Sequence, residues 1–151
     1  RMREVYSGMV LSADAGRGLE GIIRTVVEQR EGAVIYHCSA GKDRAGVISA
    51  LLLRLLGAED SAIYADYLYT NTALSNELEE AQSAALALSG DERAANYVLG
   101  FFAACPCWLA AALDTLDKRF YSIEGYIAQM TKVTGWEAEE FKRICIEKSP
   151  D

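Results

Sequence analysis

Proline is scarce in this chain, with two among 151 residues, and histidine occurs once, at position 37. The shortage of proline excludes proline-rich linkers, and no low-complexity tract or internal repeat interrupts the sequence. The lone imidazole also thins the choice of metal ligands. Cys105-Pro106-Cys107 has the look of a metal or redox pair, but too few partners accompany it, so no metal and no cofactor is expected. No apolar run reaches the length of a membrane span, and no transmembrane segment is expected. Positive charge is short as well. Fifteen Lys and Arg against 22 Asp and Glu give a net charge of −7, which argues against nonspecific binding to nucleic acid. The chain does not begin with Met, and no signal peptide is in view. What is abundant is apolar: 51% of the residues are hydrophobic, enough for one domain with its own core.

The most informative stretch is His37-Cys38-Ser39-Ala40-Gly41-Lys42-Asp43-Arg44-Ala45-Gly46. The apolar run Ala33-Val34-Ile35-Tyr36 leads in, and a helix-forming run from Val47 to Leu56 leads out. A loop between a strand and a helix N-terminus suits an anion, because backbone N–H groups point inward and the helix dipole adds positive potential. A cysteine there is expected to ionise below the ordinary thiol value of about 8.5. An arginine six positions later adds a planar fork for two phosphate oxygens. A free thiolate is most simply kept in a reducing compartment, so a cytoplasmic location is expected, or a secreted one if a leader precedes Arg1.

The stretch resembles the phosphate-binding loop of the cysteine-dependent protein tyrosine phosphatase superfamily. Its GKDR form is similar to that of the atypical bacterial tyrosine and lipid phosphatases. The resemblance implies an α/β fold with a parallel sheet flanked by helices. It implies hydrolysis of phosphate monoesters, on phosphotyrosine and also on phosphoserine, phosphothreonine or phosphoinositides. Cys38 would be the nucleophile, Arg44 and the loop from Ser39, Ala40, Gly41 and Lys42 to Arg44 would hold the substrate, and His37 and Gly46 would support the loop. Asp43 is the candidate proton donor in the GKDR form, with an ion pair that stiffens the loop as the other role open to it. Asp14, in a Gly-rich stretch, is a weaker alternative. Lys42 occupies a place where phosphoinositide phosphatases of the superfamily often carry lysine, though a solvated lysine explains it equally simply. The Asp66-Tyr67-Leu68-Tyr69-Thr70-Asn71 segment also resembles the family, either as a packing helix or with Asp66 orienting the loop. Ala45 departs from the pattern, since the family usually has Thr or Ser there to help release phosphate from the cysteinyl intermediate. A phosphate-binding pseudophosphatase that recognises phosphorylated partners is therefore the alternative, and a rhodanese-like sulfur transferase a weaker one.

Periodicity supplies the rest. Met2, Val5, Tyr6, Met9 and Val10 mark one helix, and Leu19, Ile22, Ile23, Val26 and Val27 a second that ends at Glu31-Gly32. Ala33 to His37 reads as a short, fully buried strand. The helix leaving the loop closes at Gly57. Asp60 or Ser61 caps a helix over Ala62 to Thr70, and helical runs follow over Leu74 to Leu88 and Asp91 to Ala104, separated by Gly90. Pro106 starts a helix through Trp108 to Phe120, Ser122 caps Ile123 to Thr131, and Gly135 ends or bends the chain before a last helix over Trp136 to Ile146. By resemblance, residues 74–104 form a helical lid. Because only one strand precedes Cys38 where the family has more, the chain is expected to be the C-terminal part of one domain, 1–151, paired with a segment that precedes it. The oligomeric state stays open.

Overall fold

The computed structural model describes residues 1–29 and 32–146, and among these the chain forms nine α-helices and no strand. They are α1 (Met2–Leu11), α2 (Ala13–Gln29), α3 (Asp43–Leu55), α4 (Asp60–Ala73), α5 (Ser75–Ser89), α6 (Glu92–Phe102), α7 (Pro106–Phe120), α8 (Ile123–Met130) and α9 (Gly135–Cys145). Apolar spacing decides which faces go inward. Tyr6 and Val10 lie one turn apart on α1, and Leu19, Ile23 and Val27 repeat at four-residue steps on α2. They meet Val47, Leu51 and Leu55 of α3 and Leu109, Leu113, Leu116 and Phe120 of α7 in one core. α1 packs along α7, α2 against α9 and α3 against α4, while α5 and α6 pack mainly on each other.

Polar ties fix the elements around that core. The buried Tyr126 hydroxyl of α8 donates to Val10 O of α1 at 3.0 Å, and burial pushes its phenol up to about 12. Arg24 of α2 donates to Glu137 of α9 and to the carbonyl of Lys132 at 2.8 Å, and also pairs with Glu20. Ser122 accepts from Gly125 N as the cap of α8, and Pro106 opens α7, both as the sequence predicts.

Several expectations are corrected. Ala33 to His37 is neither a strand nor buried. Its backbone pairs with no other described segment, though the Tyr36 hydroxyl lies 2.8 Å from Ser49 Oγ, and Ile35 is 87% exposed. A strand exists only through the partner that takes up its N–H and C=O groups, and no described residue does so here. Among the described residues the fold is helical and no strand of the expected parallel sheet is formed. The expected end of the second helix at Glu31 lies outside the described residues. Glu59, not Asp60 or Ser61, is the N-cap of α4. Gly135 neither ends nor bends the chain before α9 but is its first residue, behind a capping box in which Thr134 and Glu137 bond each other's backbone. Asp14 sits in the first turn of α2, paired with Arg17, not in a loop. Residues 92–120 do contain an 18-residue window apolar enough for a membrane span, with mean hydropathy 1.6. Length and composition are all this stretch shares with such a span, since α6 stops at Phe102 and Pro106 starts a new helix.

Candidate active site

The stretch singled out in the sequence forms the connection into α3, and its second half is already helix. Lys42 is the N-cap, the N–H of Gly46 bonds Lys42 O at 3.0 Å, and Asp43, Arg44, Ala45 and Gly46 form the first turn. Gly41 turns the chain with φ +69°, a conformation that costs a side-chain-bearing residue about 1 kcal/mol or more. The result is a curl of backbone closed by the N-terminus of a thirteen-residue helix.

Cys38 sits inside this curl, partly exposed. Burial pushes its thiol up, but N–H groups of Ala45, Gly41, Ala40 and Arg44 bond the sulfur, and together they bring it below the ordinary thiol value. The same N–H groups that favour a thiolate are placed to meet oxygens of a bound anion. Arg44 is exposed and its Nη2 donates to Ser39 Oγ at 3.2 Å, so the guanidinium lies across the loop. His37 is exposed, with Nδ1 3.2 Å from the Cys38 carbonyl.

Asp43 and Lys42 face different neighbours. Asp43 Oδ1 accepts from the Tyr6 hydroxyl at 2.5 Å, and that hydroxyl is 2.7 Å from Tyr67 Oη. Burial, then the bonds to Asp43 and Tyr67, push the Tyr6 phenol far up. Burial likewise pushes Tyr67 up to about 12. Both tyrosines therefore stay protonated and serve as donors. Lys42 is 5% exposed and donates to the carbonyls of Phe101 at 2.8 Å and Phe102 at 3.1 Å, at the C-terminus of α6. Its ammonium also lies 5.4 Å over the Trp108 ring and 3.6 Å from Asp43 Oδ1. A cation at a helix C-terminus meets the negative end of the dipole and carbonyls without intrahelical partners. The lysine that the sequence places among the substrate-binding groups is bonded to α6 in this structure.

Three residues of the site escaped the sequence. Tyr6 and Tyr67 look like ordinary core positions of their helices. Of the 66–71 segment, Asp66 is exposed, and it is Tyr67 that reaches the loop. Gly46 allows this approach, because a Cβ there would stand 3.0 Å from the Tyr67 ring. Asn71 closes the segment, accepting from Ala104 N at 2.6 Å and donating to Ala104 O at 3.0 Å, which pins the connection between α6 and α7. A cleft of about 530 Å³ opens between the loop and the α5–α6 pair, lined by Ala40, Lys42, Asp43, Leu78, Phe101 and Phe102 among others. Leu74, Leu78, Phe101 and Phe102 make its apolar walls, and Glu77, Asp43 and Lys42 its charged ones. Among the described residues no cluster of three or more His, Cys, Asp or Glu could hold a metal.

The chain is similar in sequence to known proteins. The chain is 31% identical over 137 residues to the triple specificity protein phosphatase PtpB of Mycobacterium tuberculosis, covering 83% of this chain and 48% of that protein. It is 44% identical over 46 residues to a tyrosine-protein phosphatase of Nostoc commune, covering 30% of this chain and 16% of that one. A protein of Cupriavidus necator named as a tyrosine-protein phosphatase is 26% identical over 133 residues, covering 88% of this chain and 42% of its own length. The chain thus spans about half the length of the two relatives it matches along most of its own sequence. Residues 1–147 match the tyrosine phosphatase family from one end of the described helices to the other, and the chain belongs to that family.

Proposed function

We propose that this chain hydrolyses phosphate monoesters through a cysteinyl-phosphate intermediate. The observation that carries the proposal is Cys38, whose sulfur is met by backbone N–H groups at the N-terminus of α3 and held below the ordinary thiol value. The Cys38 thiolate attacks phosphorus in line and the bond to the ester oxygen breaks. Arg44 and the loop N–H groups gather the equatorial oxygens. Asp43, whose Oδ1 is oriented by the Tyr6 hydroxyl, is the group that passes a proton to the leaving oxygen. Water then attacks the cysteinyl phosphate, returning a proton to Asp43 and freeing phosphate and the thiolate.

The cleft favours phosphotyrosine, whose ring fits the apolar wall of Phe101, Phe102 and Leu78. Phosphoserine, phosphothreonine and phosphoinositides are secondary substrates in this reading, in keeping with the name of the mycobacterial relative, a triple specificity protein phosphatase. A phosphoinositide would need Lys42 to leave α6. Helices α5 and α6 act as a lid over the cleft. A non-turning phosphate binder is the second reading, favoured by Ala45, which offers no hydroxyl to the intermediate.

The test is phosphate release from para-nitrophenyl phosphate by the chain, with Cys38→Ser as blank. Release that needs Cys38, with an initial burst of leaving group ahead of the steady rate, is expected. Equal release from Cys38→Ser would remove the assignment. Binding of phosphate without release would favour the second reading.

A further inference from the structure

The connection between α6 and α7 carries a second pair of thiols. Cys105 is the N-cap of α7, Pro106 its first residue and Cys107 its second. The two sulfurs lie 2.6 Å apart, both partly accessible and both free. Pro106 fixes this geometry by holding φ in the helical range at the first position, where its missing N–H costs nothing. The pair has no third ligand among the described residues, so a metal finds only two of the usual four donors. What two free sulfurs brought against each other can do is bond to each other.

We propose that Cys105 and Cys107 form a reversible dithiol–disulfide site, oxidised by a small hydroperoxide, with Cys107 as the thiol that attacks first. Cys107 occupies the end of the helix that favours negative charge, and both the neighbouring Cys105 S–H and the Arg3 side chain support its thiolate. Cys105 is held protonated by burial and by donating to Cys107, so it waits as the resolving thiol. In the first step the Cys107 thiolate attacks a peroxide oxygen, the O–O bond breaks, and Cys107 sulfenic acid and hydroxide form. In the second, Cys105 loses its proton and attacks the Cys107 sulfur, expelling the sulfenic oxygen as water. The sum converts two thiols and one hydrogen peroxide into one disulfide and two waters. A disulfide closed across a single residue at an exposed helix start belongs to the readily reduced class, which makes the site reversible.

The experiment treats the chain carrying Cys38→Ser with one equivalent of hydrogen peroxide, which leaves only Cys105, Cys107 and Cys145 to react. Two thiols should disappear, the mass should fall by two hydrogens, the bond should map to a peptide spanning 105–107, and dithiothreitol should restore both thiols. Adding Cys107→Ser should slow oxidation at Cys105 at least tenfold, whereas adding Cys105→Ser should leave Cys107 reactive but stranded as its sulfenic or sulfinic acid. The proposal is overturned if Cys145 is oxidised as fast as the pair, if Cys107 gains oxygen while Cys105 stays free in the Cys38→Ser chain, or if no thiol is lost.

Discussion

The body of the molecule and the α5–α6 hairpin are built on opposite terms. In the body, Leu19, Ile23, Leu51, Leu109 and Leu116 are fully enclosed, and Tyr126 adds a buried hydrogen bond across helices. In the hairpin, α5 buries no residue and α6 buries only Ala95, while Leu88 is 90% and Tyr97 70% exposed. The two hairpin helices hold each other through small residues and a Gln82–Asn96 bond. They reach the body at one end, where Lys42 grips the last carbonyls of α6 and Asn71 holds Ala104. A region so built opens at little cost. The difference places stability in one part of the chain and a loosely packed pair of helices beside the loop, held at one end by the Lys42 ammonium and by Asn71.

Equivalent truncations in the two regions should give the largest contrast. Leu116→Ala removes a fully buried side chain and should cost about 3 kcal/mol in chemical denaturation, whereas Leu88→Ala should stay within about 0.5 kcal/mol. Similar losses from both would mean that the hairpin belongs to the cooperative core. Next comes the joint itself. Lys42→Met should lower the local stability of α6 by about 1–3 kcal/mol, read as faster amide exchange there with α7 unchanged. Unchanged protection in α6 would assign the hold to Asn71 alone. The smallest effect concerns two thiols. Backbone N–H groups lower Cys38 and desolvation raises Cys145, so alkylation by iodoacetamide should rise at lower pH for Cys38 than for Cys145. Coincident pH profiles would show that the loop does not hold a thiolate.

The contrast also explains what could be read from the chain without coordinates. The loop was legible because Cys38, Gly41 and Arg44 are local, and their spacing alone brings them to one helix start. The body helices were legible because each carries its own apolar stripe, as with Leu19, Ile23 and Val27. Tyr6 was not, because its partner Asp43 stands 37 residues away and Tyr67 61 residues away, and a tyrosine on an apolar face looks like packing until its hydroxyl finds a partner. The bonds of Lys42 to α6 were hidden for a similar reason, since nothing local places Phe101 and Phe102 beside it. The segment 33–37 has strand composition, but a strand is a property of two segments, and the described residues hold one.

The cation over Trp108 gives the joint an optical consequence. The Lys42 ammonium stands 5.4 Å from that indole, and the Tyr6 ring lies 5.8 Å away on a helix of the body. Indole emission responds to a charge on its face, so withdrawal of Lys42 from α6 changes the colour and yield of Trp108 fluorescence. The other tryptophan, Trp136, is 63% exposed on α9 and emits as a constant solvent-facing background. The molecule thus carries its own fluorophore for the state of the hairpin, with no label added.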